Sequence, residues 1–130
     1  MTNVVLDTNV LISAILTPGG IPAEVTRLVS DDANMHLYYS MGIFSEYKRV
    51  LAYERLNFSA KRQDDALQWV IVKGTFVQVK TSILPLPDES DRIFYDTAKA
   101  VNAYLVTGNL KHYPQEPHIV PPARFVEVFV

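Results

Sequence analysis

VVLDTNVL, residues 4–11, decides how the rest of the chain is read. Val4, Val5 and Leu6 make a short apolar run that suits a buried strand, and Asp7 follows at once. Thr8 and Asn9 turn the chain, and an apolar helical pattern resumes over Val10–Leu16. The carboxylate at the end of this strand admits two readings. Asp is a favoured helix N-cap. In open parallel sheets, however, ligands bind outside the carboxyl ends of the strands, and Asp7 stands at such an end.

Working outward, Thr17-Pro18-Gly19-Gly20 marks a turn. Pro22 suits the first turn of a second helix with Val25, Leu28 and Val29 on one face. HLYY, His36–Tyr39, is the second strand expected. Ser40 caps a helix whose inner stripe is Ile43, Phe44, Tyr47, Val50 and Leu51. Glu46 flanks that stripe, as a surface residue or as a second acid entering the cleft of Asp7. Ser59 opens a helix to about Lys73, ended by Gly74. TFVQV, Thr75–Val79, alternates as a third strand, and Lys80–Pro87 is a proline-punctuated loop.

PDESDRIFYDTAKA, residues 87–100, follows. Asp91 fits the start of a helix, where the dipole favours acids. The density of Asp88, Glu89 and Asp91 fits less well, because neighbouring like charges repel; a divalent cation would relieve them. Asp96 reads as solvated surface, the default for Asp. Tyr104–Val106 is the fourth strand, with Thr107-Gly108-Asn109 turning out of its end. Leu110–Tyr113 makes one turn, His118–Val120 a fifth strand, and Ala123–Phe129 a closing helix. Strands alternating with helices predict an α/β fold with a parallel sheet, as one domain over residues 1–130.

Composition narrows the function. The chain of 130 residues is 48% hydrophobic, enough for a core without disulfides or a structural metal. Absence of cysteine excludes thiolate metal sites and suits a reducing cytoplasm. No apolar run reaches membrane-span length, and no signal peptide is visible. Twelve Lys+Arg against fourteen Asp+Glu leave a net charge of −2, so nucleic acid would be held by a local patch or by bridging cations.

Asp7, Glu46, Asp91 and Asn109 all fall at or just after strand ends. A parallel sheet gathers such ends along one edge. Oxygen donors without cysteine favour Mg²⁺ or Mn²⁺. His36, His112 and His118 lack any zinc-ligand spacing and read as incidental.

Five stretches in this order resemble the PIN domain family, and within it the toxin components of toxin–antitoxin systems. They are VVLDTNVLISAIL (4–16), SMGIFSEYKRVL (40–51), PDESDRIFYDTAKA (87–100), YLVTGNLKHYP (104–114) and IVPPARFVEVF (119–129). The resemblance implies a three-layer α/β/α fold with a five-stranded parallel sheet of order 3-2-1-4-5. It implies a ribonuclease dependent on Mg²⁺ or Mn²⁺, with Asp7, Glu46 and Asp91 as catalytic metal ligands. Asp88 matches a further acid of the narrower group, and Asn109 the fourth position, which is usually Asp. Thr8, Asn9 and Thr107 match residues that orient the acids. An RNA substrate, an antitoxin protein and a homodimer are the partners implied; Tyr38, Tyr53, Phe58 and Trp69 are candidates for an exposed dimer face. Lys48, Arg49, Arg55, Arg92 and Lys111 are candidates for steering an RNA backbone.

The main rival is a non-cleaving PIN-like module that binds RNA or protein, which Asn109 slightly favours. A phosphotransferase is disfavoured, because Asp7-Thr8-Asn9 lacks a DxD pattern after the first strand.

Overall fold

The computed structural model describes residues 1–86 and 88–129; Pro87, the end of the expected loop, lies outside them. The fold grows from β1 (Thr2–Leu6), whose Val4, Val5 and Leu6 are at most 1% exposed. A strand buried on both faces must be apolar at every position, and here alternate residues serve opposite layers. Val5 packs with Ile43 and Tyr47 of α3 (Met41–Leu51), Val70 of α4 (Ala60–Lys73) and Phe94 of α5 (Arg92–Ala100). Val4 and Leu6 pack with Val25 and Val29 of α2 (Ile21–Asp31) and Phe125 of α6 (Pro122–Phe129). Each such side chain removed from water is worth roughly 1.5–3 kcal/mol. Two helical layers therefore sandwich the sheet.

β1 pairs in parallel with β2 (Met35–Tyr39) and with β4 (Tyr104–Val106). β3 (Gly74–Phe76) lies outside β2, and β5 (Ile119–Val120) lies outside β4. The order is β3-β2-β1-β4-β5, as expected. Strand order reverses at β1, so the exits of β1 and β4 flank the switch point where such sheets bind ligands. The first helix, α1 (Thr8–Leu16), starts directly after Asp7, two residues earlier than its apolar pattern suggested. Among the described residues no helix is long and apolar enough to cross a membrane.

The third strand differs from its expected span, Thr75–Val79. It runs Gly74–Phe76, in register with Leu37–Tyr39. Val77 N–H still reaches Tyr39 O at 2.9 Å. Beyond that, β2 has ended and Ser40 has begun to cap α3, so Gln78 and Val79 have no strand to pair with. Gly74 is not there for a left-handed turn, since its φ is −93°. A Cβ at this position would lie 2.5 Å from Val70 O and 2.8 Å from the Tyr39 ring. Gly74→Ala is expected to cost about 1–3 kcal/mol, the usual range for overpacking, read as a lowered urea midpoint with unchanged slope.

The segment before α5 is tied down rather than loose. Asp96 is buried, and its Oδ2 accepts the Ser82 N–H at 2.8 Å, which corrects its reading as solvated surface. Arg92 is buried too. Its guanidinium donates to Ser82 O and Oγ, to Leu84 O and to both oxygens of Glu89. This set of bonds removes Arg92 from the cations free to steer a phosphate backbone. The aromatic residues read as an exposed face are also engaged within the chain. Phe58 is buried in a cluster with Ile12 and Leu51. Tyr38 and Trp69 pack against the core, and Trp69 Nε1 donates to Ser30 Oγ. Tyr53 lies beneath the guanidiniums of Arg49 and Arg55.

Candidate metal centre at the carboxyl edge of the sheet

Asp7 occupies the N-cap position of α1, yet its side chain makes no capping bond. Its Oδ2 instead accepts from Thr107 Oγ1 at 2.7 Å and from Tyr113 OH at 3.0 Å. Thr107, fully buried, also accepts the Asn109 N–H on the same hydroxyl at 3.0 Å. Asp7 is thus held by the exit of the neighbouring strand, with one oxygen fixed by two donors. Its backbone belongs to the same arrangement, since Asp7 N–H reaches Val106 O at 3.0 Å. Asn9 Oδ1 accepts the Gly108 N–H at 2.9 Å and binds the two exits together again. Thr8 Oγ1 is buried and has no hydrogen-bond partner among the described residues, so it orients no acid.

Asp7, Glu46, Asp91 and Asn109 line one cleft of about 300 Å³, together with Thr8, Asn9, Arg49 and Arg55. Glu46 stands on α3 as a partly exposed group in a two-pronged pair with Arg49, at 2.6 and 3.3 Å. α3 is anchored beside Asp7 by Tyr47, whose hydroxyl donates to Leu6 O at 2.5 Å. Of the other cations named from sequence, Lys48 and Lys111 are exposed, while Arg55 faces the Tyr53 ring at 5.4 Å.

Asp91 sits in a single 3-10 turn, Glu89–Asp91, that leads into α5. The turn is capped by Asp88, whose Oδ1 accepts from Ser90 N–H at 3.0 Å and Ser90 Oγ at 2.8 Å. These bonds hold the Asp88 carboxyl below its usual range. Asp91 goes the other way. Burial, then the charges of Asp7 and Asp88, push it up to about 6. Burial also raises the Tyr113 hydroxyl, with the Asp7 and Asp91 charges adding to it, so Tyr113 serves as a donor.

Two residues at this edge escaped the sequence reading. Tyr113 was read only as part of a turn, and His112 as incidental. His112 Nδ1 lies 3.1 Å from Asp91 Oδ2, and Asp88, Asp91 and His112 present ligand atoms within 4.8 Å of one another. A weak signal was available: both residues lie in the short segment that follows Asn109 out of β4, at the same edge of the sheet. Asp88 joins this second grouping and does not line the cleft shared by Asp7, Glu46 and Asn109.

The hydroxyl of Tyr113 can be tested in isolation. Tyr113→Phe keeps the buried ring and leaves Asp7 Oδ2 its Thr107 donor. The loss is expected to be about 1.5–3 kcal/mol, the range for a hydrogen bond to a charged group. Thr107→Val should cost more, since it also orphans the Asn109 N–H. Chemical denaturation of the two variants side by side checks the order.

The donors suit a hard divalent cation. They are carboxylate and amide oxygens, and Asp91 Oδ2 is buried with no hydrogen-bond partner among the described residues. An α/β/α domain with an acidic cleft at the exits of its central strands is the class these features define. The chain belongs to the PIN domain family, whose model matches residues 3–111.

Solved structures share the fold. A chain of the crystal structure of VapBC2 from Rickettsia felis, bound to a DNA fragment from their promoter, superposes with a TM-score of 0.61 at 15% identity. That match covers 92% of this chain and 97% of the other. A chain of VapBC-1 from nontypeable Haemophilus influenzae gives a TM-score of 0.59 at 19% identity, over 85% and 90% of the two chains. The comparison with curated proteins gave no match.

Proposed function

We propose that this chain is a ribonuclease dependent on Mg²⁺ or Mn²⁺ and the toxin of a toxin–antitoxin pair. The observation that carries the reading is the state of Asp7. Its carboxylate does not cap α1 but is fixed by Thr107 and Tyr113 in a cleft shared with Glu46 and Asp91. A helix cap would not need two buried donors from the far side of a strand boundary.

Asp7, Glu46 and Asp91 would hold the cation, with Asp88 and Asn109 in supporting places. A bound divalent cation supplies Lewis acidity toward phosphate and a water of lowered pKa. The chain's own residues do the rest. Thr107 and Tyr113 fix one oxygen of Asp7, which leaves the other for coordination; such supports set ligand geometry. Asn9 holds the Gly108 backbone, and with it the approach to Asn109. The unpartnered Thr8 hydroxyl lines the cleft and can donate to a phosphate oxygen or a water. Asn109 offers a carbonyl oxygen or an amide donor but no charge. Arg49 restrains Glu46 and brings a positive charge to the cleft wall, where a phosphodiester would lie.

The antitoxin partner rests on the family resemblance and on the two VapBC structures of like fold. A homodimer rests on the resemblance alone, and light scattering at high micromolar concentration tests it. A ribonuclease acting on cellular RNA would work in the cytoplasm, and a chain without cysteine suits that compartment. Incubation of purified protein with single-stranded RNA should give cleavage that depends on Mg²⁺ or Mn²⁺ and stops with chelator. Glu46→Gln should abolish it. RNA binding without metal-dependent cleavage would instead favour the non-cleaving module, for which Asn109 and the Arg49–Glu46 pair are the specific observations.

A further inference from the structure

The wall of the cleft holds more than acids. Ile12, Val50, Tyr53, Arg55 and Leu56 also line it, and chemistry at a cation uses none of them. Glu46, Arg49 and Val50 share one face of α3 at helical spacing. Tyr53 carries that face past the helix end, where its N–H bonds to Val50 O at 3.0 Å. At 1.5 Å per residue, Tyr53 stands about 10 Å along the helix from Glu46. A tight turn then folds back on it. The 3-10 turn Glu54–Leu56 closes with Leu56 N–H on Tyr53 O at 3.1 Å and with Asn57 in the left-handed region at φ 52°. Phe58, just beyond, anchors the turn by burial against Ile12 and Leu51. The guanidiniums of Arg49 and Arg55 both lie over the Tyr53 ring, each 5.4 Å from its centroid. Arg49 also donates to the Tyr53 hydroxyl. Tyr53 remains half-buried and Arg55 exposed. Among the described residues Arg55 pairs with no acid, so its charge and its flat face are both free.

We propose that Tyr53 and Arg55 form a stacking seat for one unpaired nucleobase of the substrate strand. Aromatic rings and guanidinium planes are the surfaces on which the splayed bases of single-stranded RNA stack. A nucleotide has a charged end and a flat end, and this cleft has both. The acids stand at one place along α3, and the aromatic wall lies about 10 Å further on. Plain backbone steering needs charge alone, which lysine would supply without the plane. A base inside a duplex is paired and covered on both faces, so the seat takes only an unpaired strand. Stacking tolerates every base, so the seat selects for single-strandedness and not for sequence. This deepens the proposed function and rests on it for where the phosphate lies, but the seat itself can be tested without cleavage.

The probe is a short single-stranded RNA carrying 2-aminopurine, whose fluorescence is quenched on stacking, titrated with the full chain in Ca²⁺ in place of Mg²⁺. Wild type should quench it, and the same strand annealed into a duplex should bind at least tenfold more weakly. Tyr53→Ala should weaken single-strand binding by about tenfold, the scale for one base stacked on an aromatic side chain. Tyr53→Phe keeps the ring and should bind as wild type does. Arg55→Lys keeps the charge and should lose part of the quenching. An abasic residue walked along the strand gives the decisive comparison. At one position it should cost wild type about the same tenfold and cost Tyr53→Ala nothing more, because the two losses are one contact. Absence of quenching with wild type would overturn the proposal. So would a Tyr53→Ala loss that is equal for base-bearing and fully abasic strands, since the side chains would then hold only the backbone. If Tyr53→Ala folds poorly, Tyr53→Leu keeps the bulk without the flat face and takes its place in the comparison. Quenching and coupling without any metal-dependent cleavage would leave the seat standing and sink the nuclease reading alone; cleavage without the coupling would do the reverse.

Discussion

Asp7→Asn is expected to give a folded protein whose metal-dependent cleavage of single-stranded RNA falls by a hundredfold or more. The amide can keep an oxygen facing Thr107 and Tyr113, so the fixed side of the residue survives. What is lost is a negative charge in the cleft. A catalytic cation contributes several kcal/mol of transition-state stabilisation, and about 1.4 kcal/mol is a factor of ten in rate. Were Asp7 merely a helix cap, Asn would replace it with little effect, because the two cap equally well. The structure already weighs against a capping role, since the side chain makes no capping bond. Steady-state cleavage in matched Mn²⁺, with a chelator control on wild type, measures the drop. Wild-type rates in the variant would sink the nuclease mechanism.

Asp91→Asn is expected to be more stable than wild type in the absence of divalent cations, and nearly inactive. Burial and the charges of Asp7 and Asp88 put the folded carboxyl at about 6, against an ordinary value of 3.8. The sign follows from proton binding. The folded state holds the proton more tightly, so Asp91 costs nothing below about pH 4. Its penalty grows as pH rises through 6 and is complete above it. A shift of that size sets an upper bound of about 3 kcal/mol, which solvent screening and the sharing of charge with Asp7 and Asp88 reduce. Other groups pull the opposite way, including His118, whose partly buried ring resists protonation, and Glu116, whose carboxyl is held low. The quantity to measure is therefore the difference between wild type and Asp91→Asn. It should open between pH 4 and 6, reach roughly 5–10 °C in Tm by pH 7.5, and shrink on addition of Mn²⁺ to wild type. Equal melting curves across that range would mean that no strained carboxylate exists.

These two residues show what the sequence could carry. Asp7 follows an apolar run and precedes a helix, so local pattern alone brings it to the carboxyl edge; Asp91 was legible only as an acid at a helix start, after a proline-punctuated loop and a polar turn. The sheet order is likewise a matter of alternating strands and helices. Tyr113 and Thr107 are different. Their bonds to Asp7 span about a hundred residues of chain, and no periodicity encodes a partner at that distance. Arg92 and Asp96 misled for a related reason. Charged residues near a helix start read as wet, but residues 82–84 fold back over both. The aromatic side chains at 38, 53, 58 and 69 are large enough to fill a core or to cover a face, and sequence alone does not choose. The third strand was misjudged because alternation continues through Val79, whereas its length is set by where β2 stops.

The pairing of β1 with β4 at the centre of the sheet has a further consequence. Asp7 and Thr107 hang on the two exits of these strands, joined by Asp7 N–H to Val106 O and by Asn9 to Gly108. The outer strands, of three and two residues, are short edges. Local openings of such a sheet start at its edges and termini, and the interior exchanges its amide hydrogens only with global unfolding. The acid-bearing junction therefore belongs to the part of the molecule that opens last. A partner could pry away β3 and leave that junction intact, whereas displacing the turn that carries Asp91 would break up the acid set without unfolding the centre of the sheet.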